Sequence, residues 1–163
     1  MPDHYDVAEI CQNGHVTNSM AHDYPASNQE YCDKCGSKTI TKCPSCNTDI
    51  RGHYHISGVF SISRFAPPSY CHKCGKPFPW TQTAVGAARE FASIIETLTE
   101  DERDQLKETI PDLLQDTPRT PVAESKFKKL MTKAGKDAYE GMKKILTDIV
   151  SETLKKTLFG PNP

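Results

Sequence analysis

The sequence predicts an α+β chain of two unlike halves: a small, metal-stabilised, β-rich unit over residues 1–80, then an all-α helical bundle or set of helical hairpins over residues 81–163. Three observations carry this. All seven cysteines and all six histidines lie in residues 1–80, which contain no leucine, whereas residues 81–163 hold all eight leucines and no Cys or His. Six of the cysteines form three Cys-x-x-Cys pairs, Cys32/Cys35, Cys43/Cys46 and Cys71/Cys74. Beyond Trp80 the spacing of apolar residues changes from about two to about 3.6.

The cysteine pattern is that of a zinc framework. Zn2+ takes four soft or borderline donors in a tetrahedron, and two thiolates two residues apart in a tight turn share one ion. A glycine after the second Cys lets the backbone fold under the metal, and Gly36 and Gly75 stand there. The seventh cysteine opens Cys11-Gln-Asn-Gly-His15, so His15 supplies an eighth ligand. The ligand set is then Cys11, His15, Cys32, Cys35, Cys43, Cys46, Cys71 and Cys74, sufficient for two structural Zn2+. A lone Cys-x-x-Cys is shared with thioredoxin-like redox sites, but three pairs and a Cys-x-x-x-His within 64 residues are not. No secretory leader is read ahead of the pairs, so reduced thiols and a cytoplasmic location are expected rather than disulfides.

An internal repeat bears on which ligands share an ion. Tyr31-Cys32-Asp33-Lys34-Cys35-Gly36 recurs as Tyr70-Cys71-His72-Lys73-Cys74-Gly75, so each reads as the closing knuckle of a similar unit. Tandem pairing follows: Cys11, His15, Cys32 and Cys35 on one ion, Cys43, Cys46, Cys71 and Cys74 on the other. An interleaved cross-brace, first pair with third and second with fourth, is the competing arrangement. His72, inside a knuckle, is expected to point outward, and His4 and His22 are spare ligands should His15 not serve. His53 and His55 read as alternate residues on a strand, with a further metal as the less ordinary account.

Metal is needed because the first half lacks a core. Only 14 of its 80 residues are Val, Ile, Leu, Met, Phe or Trp. The 24 residues between Cys46 and Cys71 exceed the 16 between His15 and Cys32, and the longer insert reads as strands. Tyr54, Ile56, Phe60 and Ile62 alternate with His53, His55, Ser57, Ser61 and Ser63, interrupted by Gly58. An antiparallel finger closed by Ala66-Pro67-Pro68-Ser69 is expected, with Arg51, Arg64, Tyr54 and Phe65 available to a partner or packed over the ligands.

Four helical segments follow. Thr81 to Leu98 carries Ala84, Ala88, Phe91, Ile95 and Leu98 on one stripe, widened by Val85 and Ala92. Thr99-Glu100-Asp101-Glu102 is a capping box opening a short helix with Leu106 and Ile110, with helix disfavoured at Ile110 by Pro111 and with Leu113 and Leu114 in a further turn. Thr120 as N-cap and Pro121 at the first position open a third helix with Ala123, Phe127, Leu130, Met131 and Ala134, ending or bending at Gly135. A fourth carries Ala138, Met142, Ile145, Leu146, Ile149, Leu154 and Leu158. These stripes require a bundle, or hairpins completed by another chain. No run approaches the roughly 18 apolar residues of a membrane span.

Charge separates within the helices although the chain is near neutral, with 20 basic and 21 acidic residues. Residues 96–116 hold eight acids against Arg103 and Lys107, and residues 119–136 hold six bases against Glu124. Neighbouring helices then complement each other, or Lys126, Lys128, Lys129, Lys133 and Lys136 form a basic face for an acidic partner.

The knuckles resemble those of the double zinc ribbon superfamily over about residues 10–76. More closely, Cys11-Gln-Asn-Gly-His15-Val16, Tyr31-Cys32-Asp33-Lys34-Cys35-Gly36 and the run from Pro67 through Tyr70-Cys71-His72-Lys73-Cys74-Gly75 to Pro79-Trp80 resemble a bacterial family called domain of unknown function 2321. That resemblance implies a small bacterial zinc protein and assigns no activity. His15 departs from the all-cysteine ribbon pattern.

A noncatalytic adaptor is the expected function, with a zinc ribbon finger for protein recognition and helices that self-associate or dock. Nucleic-acid binding is second, since residues 1–80 balance seven Lys or Arg against seven Asp or Glu where phosphate binding asks for a basic excess. An enzyme is third: fully ligated zinc leaves no position for water, unless His15 is not a ligand and the first site stays partly open.

Overall fold

A computed structural model describes residues 2–60 and 64–160. The chain forms two compact units, residues 1–82 and residues 83–163.

In the first unit, β1 (His4–Val7) pairs antiparallel with β5 (Arg51–His55), while β2 (Glu9–Cys11) lies between β3 (Val16–Asn18) and β4 (Thr39–Ile40). Tyr5 opposes Tyr54 and His4 opposes His55. The expected finger therefore differs in its pairing. Among the described residues, the partner of β5 is the amino-terminal strand, and residues 64–69 form no strand. Ile62, Ser61 and Ser63 of the expected finger lie outside the described residues. The signal for β1 is short: only Tyr5 and Val7 alternate with polar neighbours, too little for the pattern to announce a strand.

Three isolated bridges, Tyr31 to Lys38, Lys42 to Asp49 and Tyr70 to Pro77, close the three Cys-x-x-Cys knuckles. Ala8, Ile10, Ile50, Phe78 and Trp80 pack with Cys43 and Cys71 into one small core. Phe78 and Trp80 stack at 4.6 Å, and the Trp80 indole N–H donates to the Pro68 carbonyl at 2.8 Å. The proline segment thus anchors the core beneath the knuckles rather than only closing a loop. Buried carboxylates hold the loops: Glu9 accepts from the Thr17 hydroxyl at 2.7 Å and the Gln29 backbone N–H at 2.8 Å.

Among the described residues, five helices follow: α1 (Pro79–Ser93), α2 (Glu100–Asp112), α3 (Thr120–Ala134), α4 (Lys136–Leu146) and α5 (Glu152–Phe159). The capping box at Thr99 is complete, with the Thr99 N–H donating to Glu102 and the Glu102 N–H to Thr99 Oγ1. Three expectations are corrected. The first helix ends at Ser93, yet Ile95 and Leu98 beyond it remain buried. The second runs through Pro111 to Asp112. The expected fourth helix is two, because Ser151 caps a new one by accepting the Leu154 N–H at 3.2 Å.

The apolar stripes bury one another within the chain. Ala88, Leu98, Leu106, Ile110, Phe127, Met142, Leu146 and Leu158 share one core. Two ion pairs join oppositely charged segments, Lys133 to Glu102 at 2.6 Å and Arg119 to Asp112 at 3.0 Å, so the helices do complement each other in part. Among the described residues, no helix is long and apolar enough to cross a membrane.

Candidate metal centres

Each Cys-x-x-Cys knuckle is made the same way. The first cysteine's N–H donates to the carbonyl five residues on, Cys32 to Ser37, Cys43 to Thr48 and Cys71 to Lys76, at 2.8–2.9 Å. Its own carbonyl accepts the N–H four residues on, from Gly36, Asn47 and Gly75. That fourth residue must take a positive φ, and the values are 72° at Gly36, 61° at Asn47 and 71° at Gly75. Asn47 therefore does the work of a glycine in the Cys43/Cys46 knuckle, a role open to Asn because its short polar side chain tolerates the left-handed region.

The fourth knuckle is a hairpin between β2 and β3. Cys11 N–H donates to the His15 carbonyl at 3.0 Å and Gly14 turns the chain at φ 89°. A Cβ at Gly14 would meet the Trp80 Cβ at 3.0 Å, so the hairpin lies directly against the indole.

The eight residues converge as two groups of four, Cys11 with His15, Cys32 and Cys35, and Cys43 with Cys46, Cys71 and Cys74. Pairing is tandem, and the cross-brace is not formed. Cys11 Sγ lies 3.7 Å from Cys35 Sγ, and His15 Nδ1 lies 3.5 Å from Cys11 Sγ and 3.6 Å from Cys32 Sγ. In the second group Cys43 Sγ lies 3.8 Å from Cys74 Sγ, and Cys46 Sγ lies 3.6 Å from Cys71 Sγ. Bonds of about 2.3 Å to sulfur and about 2.05 Å to imidazole nitrogen, at tetrahedral angles, place two sulfurs about 3.8 Å apart and sulfur and nitrogen about 3.6 Å apart. The donors stand at the separations one tetrahedral ion requires. None of the seven cysteines is joined in a disulfide.

Hydrogen bonds tune the sulfurs. Asn13 Nδ2 donates to Cys35 Sγ at 3.4 Å and, with the Ser37 backbone and hydroxyl, holds the thiol down at about 5. The Thr48 hydroxyl, 3.4 Å from Cys46 Sγ, and the Thr48 backbone N–H lower that thiol to about 6. The backbone N–H groups of Cys74 and Lys73 lower Cys71. Burial raises Cys11. At Cys74 the Lys76 N–H acts downward, but burial and the neighbouring thiols Cys71, Cys46 and Cys43 prevail and push it up to about 11. Four thiolates at 3.6–3.8 Å repel, so without a cation some keep their protons. A divalent ion removes that conflict.

Asn13, Ser37 and Thr48 were not singled out by the ligand pattern. Their signal is an echo: Cys35-Gly36-Ser37 and Cys46-Asn47-Thr48 each place a hydroxyl two residues after the second Cys, where Cys74-Gly75-Lys76 has none. Of the other histidines, His72 is exposed, whereas His4 and His55 gather with Asp23 apart from both thiolate groups.

Two four-donor clusters on a β-rich scaffold, followed by a helical unit, define a metal-binding class of α+β protein. The chain belongs to the family described as an uncharacterized protein conserved in bacteria (DUF2321), which matches residues 4–158. No curated protein and no solved structure matches it.

Proposed function

We propose that the chain is a noncatalytic, cytoplasmic adaptor that holds two structural Zn2+ and recognises another protein through the β1–β5 ribbon. Zinc suits three thiolates with one imidazole, and four thiolates, better than any hard cation, and four protein donors at each ion leave no position for substrate. The observation that carries the recognition reading is a paired aromatic face. Tyr5 and Tyr54 oppose each other across the strands with ring centroids 4.6 Å apart, and the Arg51 guanidinium lies 4.7 Å over the Tyr5 ring. Both tyrosines are nearly half exposed, at 49% and 42%. Tyr and Arg are the residue types that dominate binding energy at protein interfaces. Exposed Ile56, Val59 and Phe60 extend the apolar surface beyond the end of β5. In the helical unit Ile94 and Val122 are exposed and offer a second contact.

Exposed Tyr and Arg side chains also stack on bases, which supports a second reading, a nucleic-acid-binding zinc ribbon. One experiment separates the two. The full-length protein and a Tyr54→Ala/Arg51→Ala variant, each shown to keep two zinc equivalents, are crosslinked in the native host and treated with nuclease. A nuclease-resistant protein adduct lost in the variant supports the adaptor. A salt-dependent shift of DNA or RNA, abolished by the same variant, would replace it with the second reading.

A further inference from the structure

The face of the β1–β5 ribbon opposite the tyrosines carries a different chemistry. His4 and His55 are direct cross-strand partners, and their rings stack at 4.9 Å with an interplanar angle of 19°. Asp23 reaches the same place from the loop after β3. One ligand atom from each of His4, Asp23 and His55 falls within 4.8 Å of the others.

His55 Nε2 is buried and makes no hydrogen bond. It lies 3.5 Å from Asp23 Oδ2 and 3.7 Å from Asp6 Oδ2. Those distances exceed the roughly 2.7–3.2 Å of an N–H···O bond. They approach the roughly 3.0–3.4 Å that separates an imidazole nitrogen and a carboxylate oxygen bound at about 2.1 Å to one ion.

The surroundings match what a ligating histidine needs. His4 Nδ1 lies 3.1 Å from the Pro2 carbonyl oxygen. Donation there fixes the tautomer and leaves the Nε2 lone pair for an ion, the outer contact that orients metal-bound imidazoles. Asp6, with no side-chain exposure, accepts the backbone N–H of His22 at 3.0 Å and of Asp23 at 3.3 Å, and so fixes the loop that presents the Asp23 carboxylate. Two carboxylates thus converge on the cluster. Among the described residues, the ion-pair partners of these two carboxylates are imidazoles, His55 for both and His22 for Asp23, with no Lys or Arg paired to either.

We propose that His4, His55 and Asp23 form a third metal site, separate from the two thiolate clusters, for a divalent transition ion that favours imidazole and carboxylate donors, such as Zn2+ or Ni2+. Sulfur is absent from this donor set, so its selectivity differs from that of the clusters. Three protein donors leave a coordination position open to water or to a donor from a partner. The ion would clamp the amino-terminal strand to β5.

The test uses the full-length protein carrying two zincs. Native mass spectrometry during titration with Zn2+, and separately with Ni2+, counts the ions, and Co2+ titration into the same protein reads their donors. A third equivalent is expected, with a cobalt spectrum free of thiolate charge-transfer bands. His4→Ala, His55→Ala and Asp23→Asn should each weaken it by at least about tenfold while both original zincs remain. His4→Ala is the variant least able to disturb the core, and the two retained zincs report folding in every case. His72→Ala, which removes an exposed imidazole elsewhere, should leave the third ion in place. No third equivalent in the wild type, or one that survives His4→Ala and Asp23→Asn, overturns the proposal.

Discussion

Arg89 Nε donates to the backbone carbonyl of Lys107 at 3.3 Å, and that carbonyl is the one Pro111 would have served had it carried an N–H. This contact satisfies a carbonyl that the proline leaves without its helical donor. Pro111 removes the bond from residue 111 to residue 107, and a guanidinium from α1 takes its place. Arg89→Ala should cost about 0.5–1.5 kcal/mol in chemical denaturation of the helical signal. In a Pro111→Ala background the backbone bond is restored, so the same Arg89→Ala change should cost measurably less. Equal costs in both backgrounds would sever the link between the two residues.

Two glycines test close approach against open space. A Cβ at Gly52 would stand 2.2 Å from the Ser19 carbonyl oxygen and 2.8 Å from the Val7 carbonyl carbon, both backbone atoms that no side-chain rotation can relieve. Gly52→Ala should therefore destabilise the first unit by about 1–3 kcal/mol and loosen the pairing of β1 with β5. Gly86, exposed on α1, has nothing within 4 Å of its added Cβ. Gly86→Ala should raise stability by about 0.5–1 kcal/mol through helix propensity alone. Thermal melts of the two variants should move in opposite directions.

The ligand pattern was the most readable part of this chain because metal geometry restricts spacing locally, within one turn of backbone. The knuckle repeat also carried the tandem pairing. What escaped was contact between segments distant in sequence. His4 and His55 meet only because β1 pairs with β5, and nothing near His4 in sequence announces His55. Helix patterning located the core residues well, since burial sets the period, but the ends depended on single contacts such as Ser151 with Leu154 and Arg89 with Lys107. The Pro111 rule failed because it weighs only a local steric preference of Ile110, and Ile110 is wholly buried in the helical core, which holds it in the helix against that preference.

Acid release of the two ions should depend on the residues that stabilise thiolate. Asn13 donates to Cys35, and Thr48 stands beside Cys46. Both hydrogen bonds favour the charged sulfur, lowering Cys35 to about 5 and Cys46 to about 6. A depressed thiol gives up its proton more readily to a metal, so protons compete only as pH falls. Asn13→Ala removes that help at the first cluster and Thr48→Val at the second, and each should weaken its own ion by about tenfold. The acid midpoint for release should move upward in pH for the altered cluster and stay put for the other, as followed by a chromophoric zinc indicator.

Chelation should dismantle the two units unequally. The first unit's core consists of a handful of side chains, and two of them, Cys43 and Cys71, belong to the second four-donor cluster. A structural zinc contributes on the order of 10 kcal/mol of apparent folding free energy, more than a core of that size supplies. In the second unit, Leu106, Ile110, Phe127, Met142 and Leu146 are almost wholly buried against neighbours that contain no ligand. Removal of metal should therefore abolish hydrogen-exchange protection around Ile10, Ile50 and Trp80 while amides of α2, α3 and α4 keep theirs. The helical ellipticity should persist after chelation, and addition of two equivalents of Zn2+ should restore the lost protection. Retention of protection at Ile10 and Ile50 in a metal-free sample would show that hydrophobic packing alone holds the first unit, and the clusters would then lose their structural role.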